Sequence, residues 1–196
     1  MTRVVAISGG LGSPSSTRVL ADDIIARLQG SVAERGRSLE SSVIELRELA
    51  HPIVDAMLTG FASGVLADAV ESLRIADAFV VVSPTFSASI SGLVKSFFDI
   101  LEPDVLAGKP ALMAATGGTE RHSLMLEFAM RPLLSYLGAL PVRTAIFAAT
   151  ADFGPGAASL AGRINSGADE LADAVLGVRD RGAREDFVDF ASLLAR

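Results

Sequence analysis

Four short apolar runs, each closing on small or hydroxyl-bearing residues, set the strongest limit on what this chain can fold into. They are Val4 to Ile7, Ala78 to Val82, Ala111 to Ala115 and Thr144 to Ala149. Their unbroken apolar character fits strands covered on both faces, as in a parallel sheet. A weaker run, Ser42 to Leu46, alternates as an edge strand does. Helical periodicity fills the intervals, at about Thr17 to Arg35, Ala62 to Ala76, Ser91 to Leu101, His122 to Leu137 and Ala157 to Leu176. A strand followed by a helix, five times over, implies right-handed crossovers. The predicted fold is therefore α/β: a doubly wound, five-stranded parallel sheet in the order 2-1-3-4-5, with helices on both faces. In such sheets a ligand sits where the winding reverses, outside the carboxyl ends of the first and third strands.

Composition narrows the chemistry. A chain of 196 residues, half of them hydrophobic, supports one substantial core. The expected domain spans 1–178. Residues 179–196 read as a helical tail, with Phe187, Phe190, Leu193 and Leu194 at helical spacing, docking on the domain or on a neighbouring subunit. A net charge of −6 and a pI near 4.9 give no basic surface for nucleic acid. With no cysteine and only His51 and His122, a metal centre is not expected, and redox chemistry has to use a bound cofactor. Val4 to Ile7 is too short, and too soon interrupted by Ser8-Gly9-Gly10, to act as a signal peptide or a membrane span, so a cytoplasmic location is expected. A mean hydropathy of +0.45 leaves apolar surface to bury between subunits, and a homodimer or homotetramer is the expectation.

Three loops carry the functional signal. Ser8-Gly9-Gly10-Leu11-Gly12-Ser13-Pro14-Ser15-Ser16-Thr17 joins the first strand to a helix N-terminus with five hydroxyls and free backbone amides, a setting that suits a terminal phosphate. One of Ser15, Ser16 or Thr17 would suffice as a helix cap; the surplus of hydroxyls favours an anion. The spacing matches neither the dinucleotide fingerprint nor a P-loop. After the third strand, Ser83-Pro84-Thr85-Phe86-Ser87-Ala88-Ser89 can lie along a flat ring and present amides to its polar edge. After the fourth, Thr116-Gly117-Gly118-Thr119 lets the backbone approach a planar ligand, with a plain turn capped by Thr119 as the simpler reading. Lys95 and Asp99 read as an ion pair within one helix, and Phe97 and Phe98 as core or subunit-interface residues.

These segments resemble the NAD(P)H-dependent FMN reductases, and among them the alkanesulfonate-type reductases of two-component monooxygenase systems. The resemblance rests on Pro84 to Lys95, on Gly108-Lys109-Pro110, on Ala115 to His122, and on Met130-Arg131-Pro132-Leu133-Leu134 through Gly138-Ala139. It implies a flavodoxin-like fold, FMN as cofactor or flavin substrate, and NADPH or NADH as hydride donor. It further implies that Ser15, Ser16 and Thr17 bind the phosphate; Ser8, at the loop's start, is a cofactor-binding candidate from the loop's own hydroxyls. Pro84, Thr85, Phe86 and Ser87, together with Thr116, Gly117 and Gly118, would hold the ring. No side chain is expected to be catalytic, because the flavin carries the chemistry. Phe86 and Ser87 stand where relatives commonly carry Tyr and often Lys.

Pro132, inside a helical pattern, is expected to kink that helix or accompany a bulge. The resemblance places such an irregular turn at a subunit interface near the flavin, with Phe128 as its aromatic, so that assembly and flavin exchange would be coupled. His122 is read as an orienting or interface residue. A flavin-dependent monooxygenase is the implied partner. A flavodoxin-type electron carrier and an FMN-containing quinone or azo reductase remain open alternatives.

Overall fold

The computed structural model describes residues 1–154 and 156–177; the proposed tail at 179–196 lies outside the described residues. Strands β1 (Thr2–Ser8), β2 (Leu39–Glu45), β3 (Ala78–Phe86), the two-residue β4 (Ser89–Ile90), β5 (Pro110–Gly117) and β6 (Leu140–Ala149) form the sheet. The five long strands are parallel and run β2-β1-β3-β5-β6, the predicted winding once β4 is set aside. β4 is a correction to the five-stranded, all-parallel expectation. It folds back antiparallel on the end of β3, pairing Thr85 with Ile90 and Phe86 with Ser89. The turn between them puts Ser87 at φ 49° and Ala88 at φ 62°, values that hairpin turns of this kind ordinarily assign to Asn or Gly.

Strand residues alternate between two cores because successive side chains leave a strand on opposite faces. Val4 and Ala6, Val80 and Val82, Leu112 and Ala114, and Ile146 and Ala148 pack beneath α1 (Ser16–Glu34) and α6 (Ala157–Leu176). Val5 and Ile7, Phe79 and Val81, Met113 and Ala115, and Phe147 and Ala149 face the opposite layer. That layer comprises α2 (Ala50–Thr59), α3 (Val65–Arg74), α4 (Gly92–Asp99) and α5 (Arg131–Tyr136). α1 presents Leu20, Ala21, Ile24, Ile25, Leu28 and Val32 at helical spacing, which explains why it lies flat on the sheet. Phe97 and Phe98 of α4 are fully buried, their rings 5.9 Å apart and tilted by 58°, so both belong to the core. Lys95 and Asp99 form the expected pair on the exposed face of α4, worth only tenths of a kcal/mol.

Two local features depart from simple helical reading. α2 has no counterpart among the predicted helices; it buries only Ile53 and Ala56 and leaves Val54, Met57 and Leu58 exposed. The segment predicted as one helix over His122 to Leu137 divides into a 3₁₀ turn at Glu120–His122, a π-helical turn at Leu126–Met130, and α5. Pro132 sits at the start of α5, directly after the wide turn, as a residue without an N–H should. Arg131 pins this junction. Its Nε and Nη2 donate to the Glu127 carboxylate at 2.6 and 2.9 Å, while Nη1 and Nη2 reach the carbonyls of Val142 and Arg143, each at 3.0 Å. That guanidinium holds the Glu127 carboxyl below its ordinary pKa. On the far side, the Lys109 ammonium donates to the carbonyls of Arg74 and Ala76 and so closes the end of α3. Burial pulls its pKa below the usual lysine value.

Candidate functional site

The carboxyl ends of β1, β3 and β5 converge because all three strands run in one direction with α1 starting beside them. Above them opens a cavity of about 450 Å³ lined by Ser16, Pro84, Thr85, Phe86, Thr116, Gly117, Gly118, Thr150 and Phe153. Seven of these are residues singled out in the sequence. The remaining predicted residues stand around the cavity without lining it. Ser8 is buried at the end of β1, and Ser15 lies outside the start of α1, where its hydroxyl accepts from the Arg18 amide at 3.2 Å. The cap reading is thus correct for Ser15, and Ser16 is free to face the cavity. Thr17 is buried, its Oγ1 3.0 Å from Thr116 Oγ1, which ties the start of α1 to the end of β5. Ser87 is exposed at the hairpin tip and does not line the cavity, because the unforeseen turn carries it past β3's end.

Thr150 and Phe153 escaped the sequence reading. They belong to a 3₁₀ turn, Thr150–Phe153, that follows β6. Asp152 fixes that turn by accepting from the Ala149 amide at 2.8 Å and pairing with Arg163 at 2.7 Å. Burial alone would raise the Asp152 pKa, but the amide and the guanidinium outweigh it and hold the carboxyl below its usual value. The available signal was position: β6 ends at the same edge as β3 and β5.

Glycines shape the floor. A Cβ on Gly9 would lie 2.2 Å from Val94 Cγ2, and one on Gly10 2.1 Å from Ser15 Oγ, so the first loop can pack this closely only without side chains there. A Cβ on Gly117 would lie 2.8 Å from the Phe147 ring, whereas one on Gly118 would meet nothing within 4 Å. The loop after β3 is held from below: the Ser83 hydroxyl accepts from the Ser91 amide at 3.0 Å and donates to the Pro84 carbonyl at 2.8 Å. Thr85 Oγ1, in contrast, is buried and has no hydrogen-bond partner among the described residues. An unpaired buried hydroxyl beside a cavity is costly unless a ligand satisfies it. None of the lining side chains is ionisable.

The Thr17–Thr116 contact can be tested directly. Thr116→Val alone strands the Thr17 hydroxyl in the core and is expected to cost about 1–3 kcal/mol. The double variant Thr17→Val/Thr116→Val should recover much of that loss, as urea unfolding of the four proteins would show; additive losses would mean that the two hydroxyls do not interact.

Residues 2–154 match the family described as NADPH-dependent FMN reductase. The FMN reductase (NADPH) of Pseudomonas aeruginosa is 38% identical over 151 residues, covering 77% of this chain and 78% of that protein. The NADH-dependent FMN reductase SfnE of Pseudomonas putida is 36% identical over 169 residues, covering 85% and 88%. Among solved structures, an oxidoreductase from Corynebacterium diphtheriae superposes with a TM-score of 0.87 at 46% identity, over 90% of this chain and 98% of that one. The apo form of the NADH:FMN oxidoreductase EmoB superposes with a TM-score of 0.75 at 33% identity, over 88% and 89%. With three strand-end loops meeting at one cavity and the match running through all of them, the chain belongs to the NADPH-dependent FMN reductase family.

Proposed function

We propose that the cavity over β3 and β5 receives the isoalloxazine of FMN, and that the loop from Ser8 to Thr17 receives its phosphate. The enzyme is an NAD(P)H-dependent FMN reductase. The observation that carries the site assignment is the Thr85 hydroxyl, buried and unpartnered at the cavity wall, where a ring nitrogen or carbonyl would complete its bonding. The glycine pair fits the same ligand, since Gly117 and Gly118 leave main chain exposed to a planar face.

When bound, flavin supplies the capacity to take up a hydride from a reduced nicotinamide. The chain's own residues position and polarise. Thr85 and the main chain of Gly117 and Gly118, which line the cavity, would hold the ring's polar edge, and donors there would stabilise negative charge on it. Phe86 and Phe153 supply apolar walls. Ser16 and the free amides at the start of α1 take the phosphate, helped by the positive end of the helix. With no ionisable group in the lining, the protein donates no proton to the reaction from the cavity wall.

Assembly and partners extend this reading. Phe128 in the π-helical turn and Tyr136 at the end of α5 are 78% and 88% exposed, and Leu58 and Phe61 lie bare on the α2 side. Apolar surface of this kind supports a homo-oligomer, with Phe128 coupling assembly to flavin exchange. Among the described residues no helix is long and apolar enough to cross a membrane. A cytoplasmic enzyme handing reduced FMN to a flavin-dependent monooxygenase fits these features.

The test is steady-state oxidation of NADH and of NADPH by purified protein with varied FMN. Oxidation that requires FMN and saturates with it is the expected result. Protein that stays yellow through gel filtration yet leaves both nucleotides untouched would replace the reductase with an electron carrier.

A further inference from the structure

Residues 8–17 contain no charged side chain, and the first turn of α1 contains no acid. A phosphomonoester brings close to two negative charges, which amides and hydroxyls stabilise only in part. Two guanidiniums stand beside this loop. Arg18 is the third residue of α1, and Arg47 lies in the 3₁₀ turn Leu46–Leu49 that follows β2. Both sit near the positive end of the helix dipole, where a cation is ordinarily unfavourable. One carboxylate is shared between them: Glu45, the last residue of β2, is bonded to Arg18 Nη1 and lies 3.6 Å from Arg47 Nε.

The two arginines differ in what remains free. Arg18 also spends its Nε on both Asp22 oxygens, at 2.9 and 3.0 Å. Arg47 places Nη1 on the Gly12 carbonyl, inside the loop, at 3.2 Å, in an exposed contact. Its Nη2 has no partner among the described residues. A single bond to a neutral carbonyl in contact with water holds weakly, whereas a guanidinium on a phosphate makes charge-assisted, forked bonds.

We propose that Arg47 is the counter-cation of the FMN phosphate, reached by exchanging its Gly12 contact for a phosphate oxygen, and that Glu45 restrains it by competing for the same charge. The proposal rests on the phosphate assignment made above for residues 8–17. It makes Arg47 a residue that distinguishes FMN from riboflavin, beside Ser16 and the amides at the start of α1. It also makes Glu45 a brake on affinity, which favours release of the flavin after reduction.

Quenching of flavin fluorescence can give dissociation constants for FMN and for riboflavin, at low and at physiological salt, in wild type, Arg47→Ala, Arg47→Lys and Glu45→Gln. Arg47→Ala is expected to weaken FMN about tenfold, in line with the loss of a hydrogen bond to a charged group, and to leave riboflavin within about twofold. Its FMN affinity should also lose salt dependence, while Arg47→Lys keeps most of it. Glu45→Gln should tighten FMN several-fold and leave riboflavin unchanged. Equal effects of Arg47→Ala on both flavins, or none on FMN, would overturn the role of Arg47, as would weaker FMN binding by Glu45→Gln. Wild-type protein that binds riboflavin as tightly as FMN would overturn the phosphate assignment itself, a separate and distinguishable failure.

Discussion

Gly9→Ala is expected to lower FMN affinity at least tenfold and to destabilise the domain by about 1–3 kcal/mol, the usual range for forcing a methyl into a packed site. The new Cβ would stand 2.2 Å from Val94 Cγ2, 3.3 Å from Pro84 Cδ and 3.4 Å from the Val82 carbonyl. Val94 is fully buried in α4 and cannot swing into solvent. The Gly9 amide donates to that same Val82 carbonyl at 2.9 Å, so relief requires moving the first loop off β3. Because the loop carries the proposed phosphate contacts and Pro84 lines the ring cavity, both halves of the site would shift together. Gly118→Ala is the informative comparison, since its Cβ meets nothing within 4 Å and should leave stability unchanged. Thermal melts and flavin titrations of the two variants check this; equal melting points would show that the first loop can give way without strain.

Phe97→Ala should produce the largest loss of stability, about 3–5 kcal/mol, the range for truncating a buried aromatic. The ring is wholly buried in the layer beneath α4 and packs against Phe98. The consequence for the site follows from α4's start: its N-cap, Ser91, accepts from the Val94 amide at 3.3 Å and donates its own amide to Ser83. Loosening α4 therefore loosens the floor beneath Pro84 and Thr85. Chemical denaturation gives the stability change, and weaker flavin binding in the folded population tests the link. A loss below about 1 kcal/mol would mean that the core closes over the cavity.

Much of this was legible in residues. Val4 to Ile7 and Ala78 to Val82 read as buried strands because both of their faces are covered, one by α1 and α6 and the other by α2 to α5. Pro132 announced a disturbance that became a π-helical turn. The hairpin at Ser87–Ala88 stayed hidden because neither residue is a type that positive φ favours; tertiary pairing of Thr85 with Ile90 imposes it. α2 stayed hidden because it buries two residues only, too few to show a periodic face. Of the site, the residues at the ends of β1, β3 and β5 could be read from loop chemistry. Thr150 and Phe153 could not, since nothing in a Thr-Ala-Asp-Phe stretch distinguishes a cavity wall from an ordinary turn. Arg47 was silent for a similar reason: its relation to the first loop exists only through β2 pairing with β1.

The uncharged lining of the cavity bears on how the enzyme responds to acidity. A site whose walls carry no acid or base has no protonation microstate to select, so between the extremes turnover should follow a plateau instead of a bell. Among the reactants, the group that would bring an inflection is above all the phosphate monoester, whose second ionisation lies near neutrality.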